Sequence, residues 1–387
     1  MGRVTRRVVG TWRYIAVVGF LASLSVGFTL LFAVGFFEEE VPEVRELAAR
    51  LSKTDPRWSW GGWLRGVVLG YETLKPTATD VLIAPQSKSG TTWLLHIAHQ
   101  LRMRASEPTF SDQLDVAPWI PPGPAELVEP HSGGLTLNSP QDGQILDSGG
   151  NTIQLHPPRI YKTHRNFKSL QFQPVQPKLV YCFRDLKDVY ISRYKFVTSE
   201  MGMDGSVKSD DFLSLTDWEE NFMNPAVIRE ELENLRDWWE HRNQTNVMVL
   251  FYEDLVEEYR SGISSSVVRM AKFMGLNDVD AHVIQRVFKQ TSHREMSSPE
   301  HFFRFDNHLV GNAKDRILGL PVNRSRVGKV RKDGGSFGSG ASLLSTHTSG
   351  VIDRIWRQVI AKRLGFRNLD EMRQRNRLER KSIVSLT

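Results

Sequence analysis

The feature that most constrains this chain is a seven-residue loop, Ser87-Lys88-Ser89-Gly90-Thr91-Thr92-Trp93. The apolar run Val81-Leu82-Ile83-Ala84 precedes it and the helix-compatible stretch 94–101 follows it. Strand, tight loop and helix in that order place backbone N–H groups and the positive end of a helix at one point, an arrangement that binds anions, phosphate above all. Gly90 permits close backbone approach, and Lys88 adds a mobile full charge. The lysine comes before the glycine and the Gly-x4-Gly-Lys frame is missing, so the loop is not a Walker A motif.

Further clusters follow. Tyr161-Lys162-Thr163-His164 closes a short apolar stretch. A lone histidine reads as a structural residue, but beside a lysine at a strand end, downstream of an anion loop, it reads as a general base. The run Lys178-Leu179-Val180-Tyr181-Cys182-Phe183 ends in Arg184 and leads into a helical stretch carrying Ser192. Two helical turns separate these polar groups, so both can face one ligand. The alternative for Arg184 is a surface cap paired with Asp185 or Asp188. Nearer the C-terminus lies Gly328-Lys329-Val330-Arg331-Lys332-Asp333-Gly334-Gly335-Ser336-Phe337-Gly338. Composition alone reads this as a solvated loop, although Arg331 and Lys332 suit a phosphate.

In order and spacing these clusters resemble the cytosolic-type sulfotransferase family, which transfers a sulfuryl group from 3′-phosphoadenosine 5′-phosphosulfate (PAPS). The resemblance covers most of residues 80–375. It implies that Lys88, Ser89, Gly90, Thr91, Thr92 and Trp93 hold the 5′-phosphosulfate and nucleotide, and that Arg184, Ser192, Arg331 and Lys332 hold the 3′-phosphate. Tyr252 in Tyr252-Glu253-Asp254, together with Thr291 and Met296, is implied at the adenine. His164 is implied as the base, with Lys88 and Lys162 neutralising charge on the bridging oxygen. The chain departs from the family pattern at Ser87 (proline), His293 (phenylalanine) and Asp333 (glycine). The implied fold is α/β: a P-loop-like parallel β-sheet flanked by helices on both faces, its ligand at the carboxyl ends of the strands. PAPS is the expected co-substrate, no metal is required, and a small-molecule, glycan or lipid hydroxyl is the expected acceptor. A catalytically silent PAPS-binding scaffold and a P-loop kinase are the rival readings; a homodimer is allowed.

The 387-residue chain, 40% hydrophobic and 24% charged, is long enough for one large core with appendages. Its net charge of +6 suggests nucleic acid until it is located: residues 1–13 hold four arginines and no acid, leaving +2 for the rest. No nucleic-acid face is therefore expected. The basic run 373–381 reads as a solvated tail. Residues 14–37 form an uncharged run of 24, long enough to cross roughly 30 Å of hydrocarbon. Arginines before it and Glu38, Glu39 and Glu40 after it place the N-terminus in the cytosol and the catalytic region in the ER or Golgi lumen. A cleaved signal peptide is the rival, with a shorter apolar core.

The expected organisation is therefore a basic tail (1–13), a transmembrane helix (14–37), a stem (38–78) with Trp58, Trp60 and Trp63, a sulfotransferase domain (79–375) and a C-terminal tail (376–387). Cys182 is the only cysteine, so no intrachain disulfide or thiol metal site is expected. Residues 107–158, rich in Pro, Gly and Ser, read as loops.

Overall fold

A computed structural model describes residues 77–106, 113–117, 119–120, 144–146, 152–154, 158–171, 174–201, 214–298, 301, 305, 330 and 337–384. The apolar run 14–37 expected to span a membrane, Trp58, Trp60 and Trp63 of the expected stem, and Arg331 and Lys332 lie outside the described residues. No helix among the described residues is long and apolar enough to cross a membrane.

The core is a five-stranded sheet of β1 (Val81–Ile83), β2 (Trp119–Ile120), β5 (Ile160–Thr163), β6 (Lys178–Phe183) and β7 (Val247–Phe251). Its spatial order is β2-β5-β1-β6-β7, and all its pairings are parallel. A separate antiparallel pair, β3 (Gln144–Leu146) with β4 (Thr152–Gln154), completes the strands among the described residues. The longer helices are α1 (Thr91–Arg102), α2 (Leu186–Met201), α3 (Leu215–Phe222), α4 (Pro225–Glu240), α5 (Tyr252–Ser261), α6 (Ser265–Met274), α7 (Ala281–Gln290), α8 (Thr346–Trp356) and α9 (Leu369–Val384).

The central strands are short apolar runs because both faces are covered. Successive residues point to opposite sides. Leu82, Tyr161, Leu179, Tyr181 and Phe183 pack against Ile228, Leu232, Leu235 and Trp238 of α4. Val81, Ile83, Ile160, Val180 and Cys182 pack against Leu94, Leu95, Ile97 and Leu101 of α1 and Val267 and Met270 of α6. Tyr181 stacks on Trp238 with ring centroids 4.7 Å apart. Both helical layers start cleanly: Asn224 caps α4 ahead of Pro225, and Asp280 caps α7 through the Val283 N–H.

Two sequence readings change. Part of 107–158 is ordered secondary structure, with Trp119 and Ile120 adding an edge strand opposite Lys162 and Thr163. A two-residue strand is too short to produce a period in the sequence. The basic run 373–381 is not a solvated tail. It lies in α9, where buried Arg373 donates to Asp254 at 2.8 Å, Asp370 at 2.7 Å and Glu257 at 2.6 Å, and Arg377 donates to Asp254 and Glu257. Two of those acids, Asp254 and Glu257, lie more than a hundred residues away, which charge counting along the chain cannot register.

The C-terminal segment docks on the start of α2. Both carboxylate oxygens of Asp188 accept backbone N–H groups at 2.7 Å, from Gly338 and Gly340. Glycine is required at 340 by close approach: a Cβ there would lie 2.2 Å from the Lys187 carbonyl carbon and 2.4 Å from the Asp188 nitrogen. Gly340→Ala is therefore expected to destabilise the fold by about 1–3 kcal/mol, the usual cost of overpacking. Denaturant unfolding checks this, and a variant of parental stability would contradict the contact.

Candidate active site

Parallel pairing sets the site. Val81 lies opposite both Ile160 and Lys178, and Ile83 opposite both Lys162 and Val180, so β5 and β6 flank the exit of β1, β5 running one residue and β6 three residues past the partner of Ile83. The segments leaving these adjacent strands carry His164, the Ser87-to-Trp93 loop and Arg184. Tyr252 follows β7, the next strand. Motifs far apart in sequence thus emerge side by side at the carboxyl edge, where open α/β sheets bind ligands.

The loop itself is held in two left-handed backbone positions, Lys88 at φ 68° and Gly90 at φ 86°. Gly90 is also crowded: a Cβ would meet the Tyr252 ring at 3.1 Å. Helix α1 begins at Thr91 with no side-chain cap and no acid in its first turn, and its first intrahelical bond runs from the Leu94 N–H to the Gly90 carbonyl. The earlier amides of that turn are the donors a helix N-terminus offers an anion. Thr91, Thr92 and Trp93 are half-buried, and the Lys88 ammonium lies 3.9 Å from the Phe196 ring centroid. Ser89 is fully buried, with both its N–H and its hydroxyl donating to Gln86, at 3.1 and 3.0 Å.

His164 follows β5 by one residue. It and Lys162 are half-buried, whereas Tyr161, Thr163 and Arg165 are buried. Nδ1 of His164 lies 2.9 Å from the Pro85 carbonyl oxygen, just beyond β1. A carbonyl can only accept, so Nδ1 carries the proton and the basic lone pair sits on Nε2.

Arg184 caps β6. It reaches Asp188 at 3.6 Å and donates to the Lys88 carbonyl at 3.4 Å, and its guanidinium lies 4.5 Å from the Tyr252 ring centroid. The sequence alternative of a pair with Asp188 is thus present, but the arginine is buried and joined to the anion loop rather than a surface cap. Ser192 is half-buried on α2.

The residues implied at the adenine are not alike. Tyr252 is buried between Gly90 and Arg184, edge-on to Trp93 at 6.0 Å, so it supports the loop. Thr291 is fully buried: its hydroxyl donates to the Val287 carbonyl at 2.7 Å, and its own carbonyl accepts the Trp93 indole N–H at 2.7 Å. Met296 is buried with Val116, Phe305 and Val330. Trp93, fixed by Thr291 and by Tyr259 edge-on at 4.7 Å, is the half-exposed ring among them.

Sequence reading missed two supports. Gln86 bridges the loop to Arg184, as described below. Glu253, second in Tyr252-Glu253-Asp254, accepts the Asp185 N–H at 3.0 Å and so fixes the backbone beside Arg184. Neither departs visibly from an ordinary polar residue in the linear sequence. Among the described residues, no group of three or more His, Cys, Asp or Glu is placed to hold a metal ion.

A family profile described as a sulfotransferase domain matches residues 78–311. This chain belongs to the sulfotransferase family. It is by that membership an enzyme of the PAPS-dependent sulfotransferase class. The match includes every cluster above except the one around Arg331 and Lys332. The chain is 27% identical to the 3-beta-hydroxysteroid sulfotransferase of Cavia porcellus over 225 residues, 57% of this chain and 68% of that protein. It is 25% identical to cytosolic sulfotransferase 3 of Arabidopsis thaliana over 232 residues, 59% of this chain and 63% of that one. The matched segments therefore span about two thirds of these relatives. A solved structure of mouse sulfotransferase SULT7A1 complexed with PAP covers 78% of this chain and 90% of its own, with a TM-score of 0.46 at 18% identity.

Burial pushes the Glu253 carboxyl up to about 7, against the Asp185 N–H bond and the charge of Arg373, which pull it down. A raised carboxyl favours the fold while protonated. That contribution is complete below the unfolded value near 4.5 and is lost as pH rises through about 7. Glu253→Gln keeps an acceptor for Asp185 and removes the titration. Its stability relative to the parent should improve by up to roughly 3 kcal/mol between pH 4.5 and pH 8; a pH-independent difference in denaturant unfolding would contradict this.

Proposed function

We propose that this sulfotransferase transfers the sulfuryl group of PAPS to an acceptor hydroxyl, with His164 as general base. The observation that carries the reading is the convergence of His164, the anion loop and Arg184 on three adjacent strand ends. The donor set fits a nucleotide with phosphates at both ends: a helix N-terminus without a carboxylate, Lys88, and a buried arginine across the neighbouring strand.

PAPS, when bound, supplies the sulfuryl group. Lys88, Thr91, Thr92 and the first-turn amides of α1 hold the 5′-phosphosulfate, with Ser89 and Gly90 shaping the loop. Arg184 and Ser192 hold the 3′-phosphate, joined by Arg331 and Lys332. Trp93 offers its ring to the adenine, on a support built from Tyr252, Thr291 and Met296. His164 accepts the hydroxyl proton at Nε2, and its Nδ1 bond to Pro85 keeps that lone pair aimed outward from the β1 exit. Lys88 and Lys162 stabilise the charge that develops on the bridging oxygen. Grip on the remote 3′-phosphate raises turnover because it orients the reacting end. The acceptor is a small-molecule, glycan or lipid hydroxyl, in keeping with the steroid named for one relative.

With a confirmed acceptor and labelled PAPS, His164→Ala should lose about 10² to 10⁴ in turnover with little change in PAPS affinity. Arg184→Ala should weaken PAPS by about 1.5 to 3 kcal/mol and leave adenosine phosphosulfate, which lacks the 3′-phosphate, unaffected. Near-parental turnover of His164→Ala would move the proton transfer elsewhere.

We further propose the organisation read from sequence up to residue 375, with residues 14–37 as a membrane anchor and the catalytic region lumenal; α9 carries the domain past that boundary. Asn243, in the sequon Asn243-Gln244-Thr245, is exposed between α4 and β7, open to glycosylation in that compartment. Full-length protein should resist carbonate extraction and shift in mobility on glycosidase treatment. Carbonate release of the intact chain would contradict the anchor.

A further inference from the structure

Gln86 lies two residues before Lys88, where the chain leaves β1, and is buried. Its backbone N–H donates to the Cys182 carbonyl of β6 at 2.9 Å. Its side-chain oxygen accepts the Ser89 hydroxyl at 3.0 Å and the Arg184 N–H at 3.4 Å. Its side-chain nitrogen donates to one oxygen of Glu231 on α4 at 3.3 Å, and the other oxygen of Glu231 pairs with Arg193, the residue after Ser192. One connected set of polar groups therefore joins the anion loop, the tip of β6 and the helix carrying Ser192.

The loop needs such a brace. Lys88 holds a left-handed φ that a side chain disfavours. Ser87 stands where the family pattern has proline, so the strand exit lacks a ring that would fix its φ. Binding energy gathered at one end of a ligand raises the rate at the other only if the protein between them is stiff. We propose that Gln86 and Glu231 are positioning residues that lock the 5′-phosphosulfate loop to the 3′-phosphate grip. The inference rests on the PAPS reading above.

A donor–acceptor swap tests it, with PAP and adenosine 5′-monophosphate as calorimetric probes that need no acceptor. Gln86→Glu sets two carboxylates against each other and should cut the preference for PAP over the monophosphate about tenfold. Glu231→Gln, on a half-buried site that tolerates it, should cut the preference about threefold with little change in melting temperature. The double variant restores complementarity, because Gln at 231 donates to Glu at 86 and still accepts from Arg193; it should return to within about threefold of the parent. Singles that weaken both probes equally, or a double that shows the product of the two losses, would overturn the positioning role while leaving the PAPS reading intact. A parent that does not prefer PAP at all would overturn both.

Discussion

The structure depends on the parallel pairing of β1 with β5 on one side and β6 on the other, in matching register. β1 is only three residues long, yet both its neighbours grip the chain that leaves it. From the β5 side His164 bonds the Pro85 carbonyl; from the β6 side the Cys182 carbonyl and the Arg184 N–H bond Gln86. A loop with two left-handed residues is thereby tied down within three residues of its strand. His164 and Arg184 are fixed by the same bonds that fix the loop. Slippage of either neighbouring strand would separate all three.

Buried acids extend the arrangement to the rest of the chain. Asp188 faces Arg184 and takes the N–H groups of Gly338 and Gly340, which docks the C-terminal segment beside the site. Tyr252, Glu253 and Asp254 divide three tasks: the ring underlies Arg184, Glu253 holds the Asp185 N–H, and Asp254 receives Arg373 and Arg377 of α9. An isolated buried ion pair adds little net stability; here one oxygen, Asp254 Oδ1, takes both arginines and so joins α9 to α5 at a single point.

The local parts of the fold were legible in sequence. Val81-Leu82-Ile83 and Leu179-Val180-Tyr181-Cys182-Phe183 form strands because unbroken apolar runs flanked by polar turns leave little else, and the glycine of the anion loop announced its turn. The position of His164 and Arg184 at strand ends was legible too. Groups that act by contact across the fold were not. Nothing beside Gln86 points to Glu231, and nothing near Arg373 points to Asp254. The burial of Tyr252, Thr291 and Met296 likewise rests on residues distant in sequence, such as Gly90, Trp93 and Val116. The edge strand at Trp119 and Ile120 was hidden by its length.

The proposed function requires the segments beyond β5, β1 and β6 to form one nucleotide site. Hydrogen exchange of the full chain with and without saturating PAP tests it directly. Slowed exchange is expected in three separate stretches together: the loop and start of α1 around Lys88 to Trp93, the β5 exit around His164, and the β6 exit around Arg184 into α2. Protection confined to one of these stretches, or absent from all of them, would contradict it.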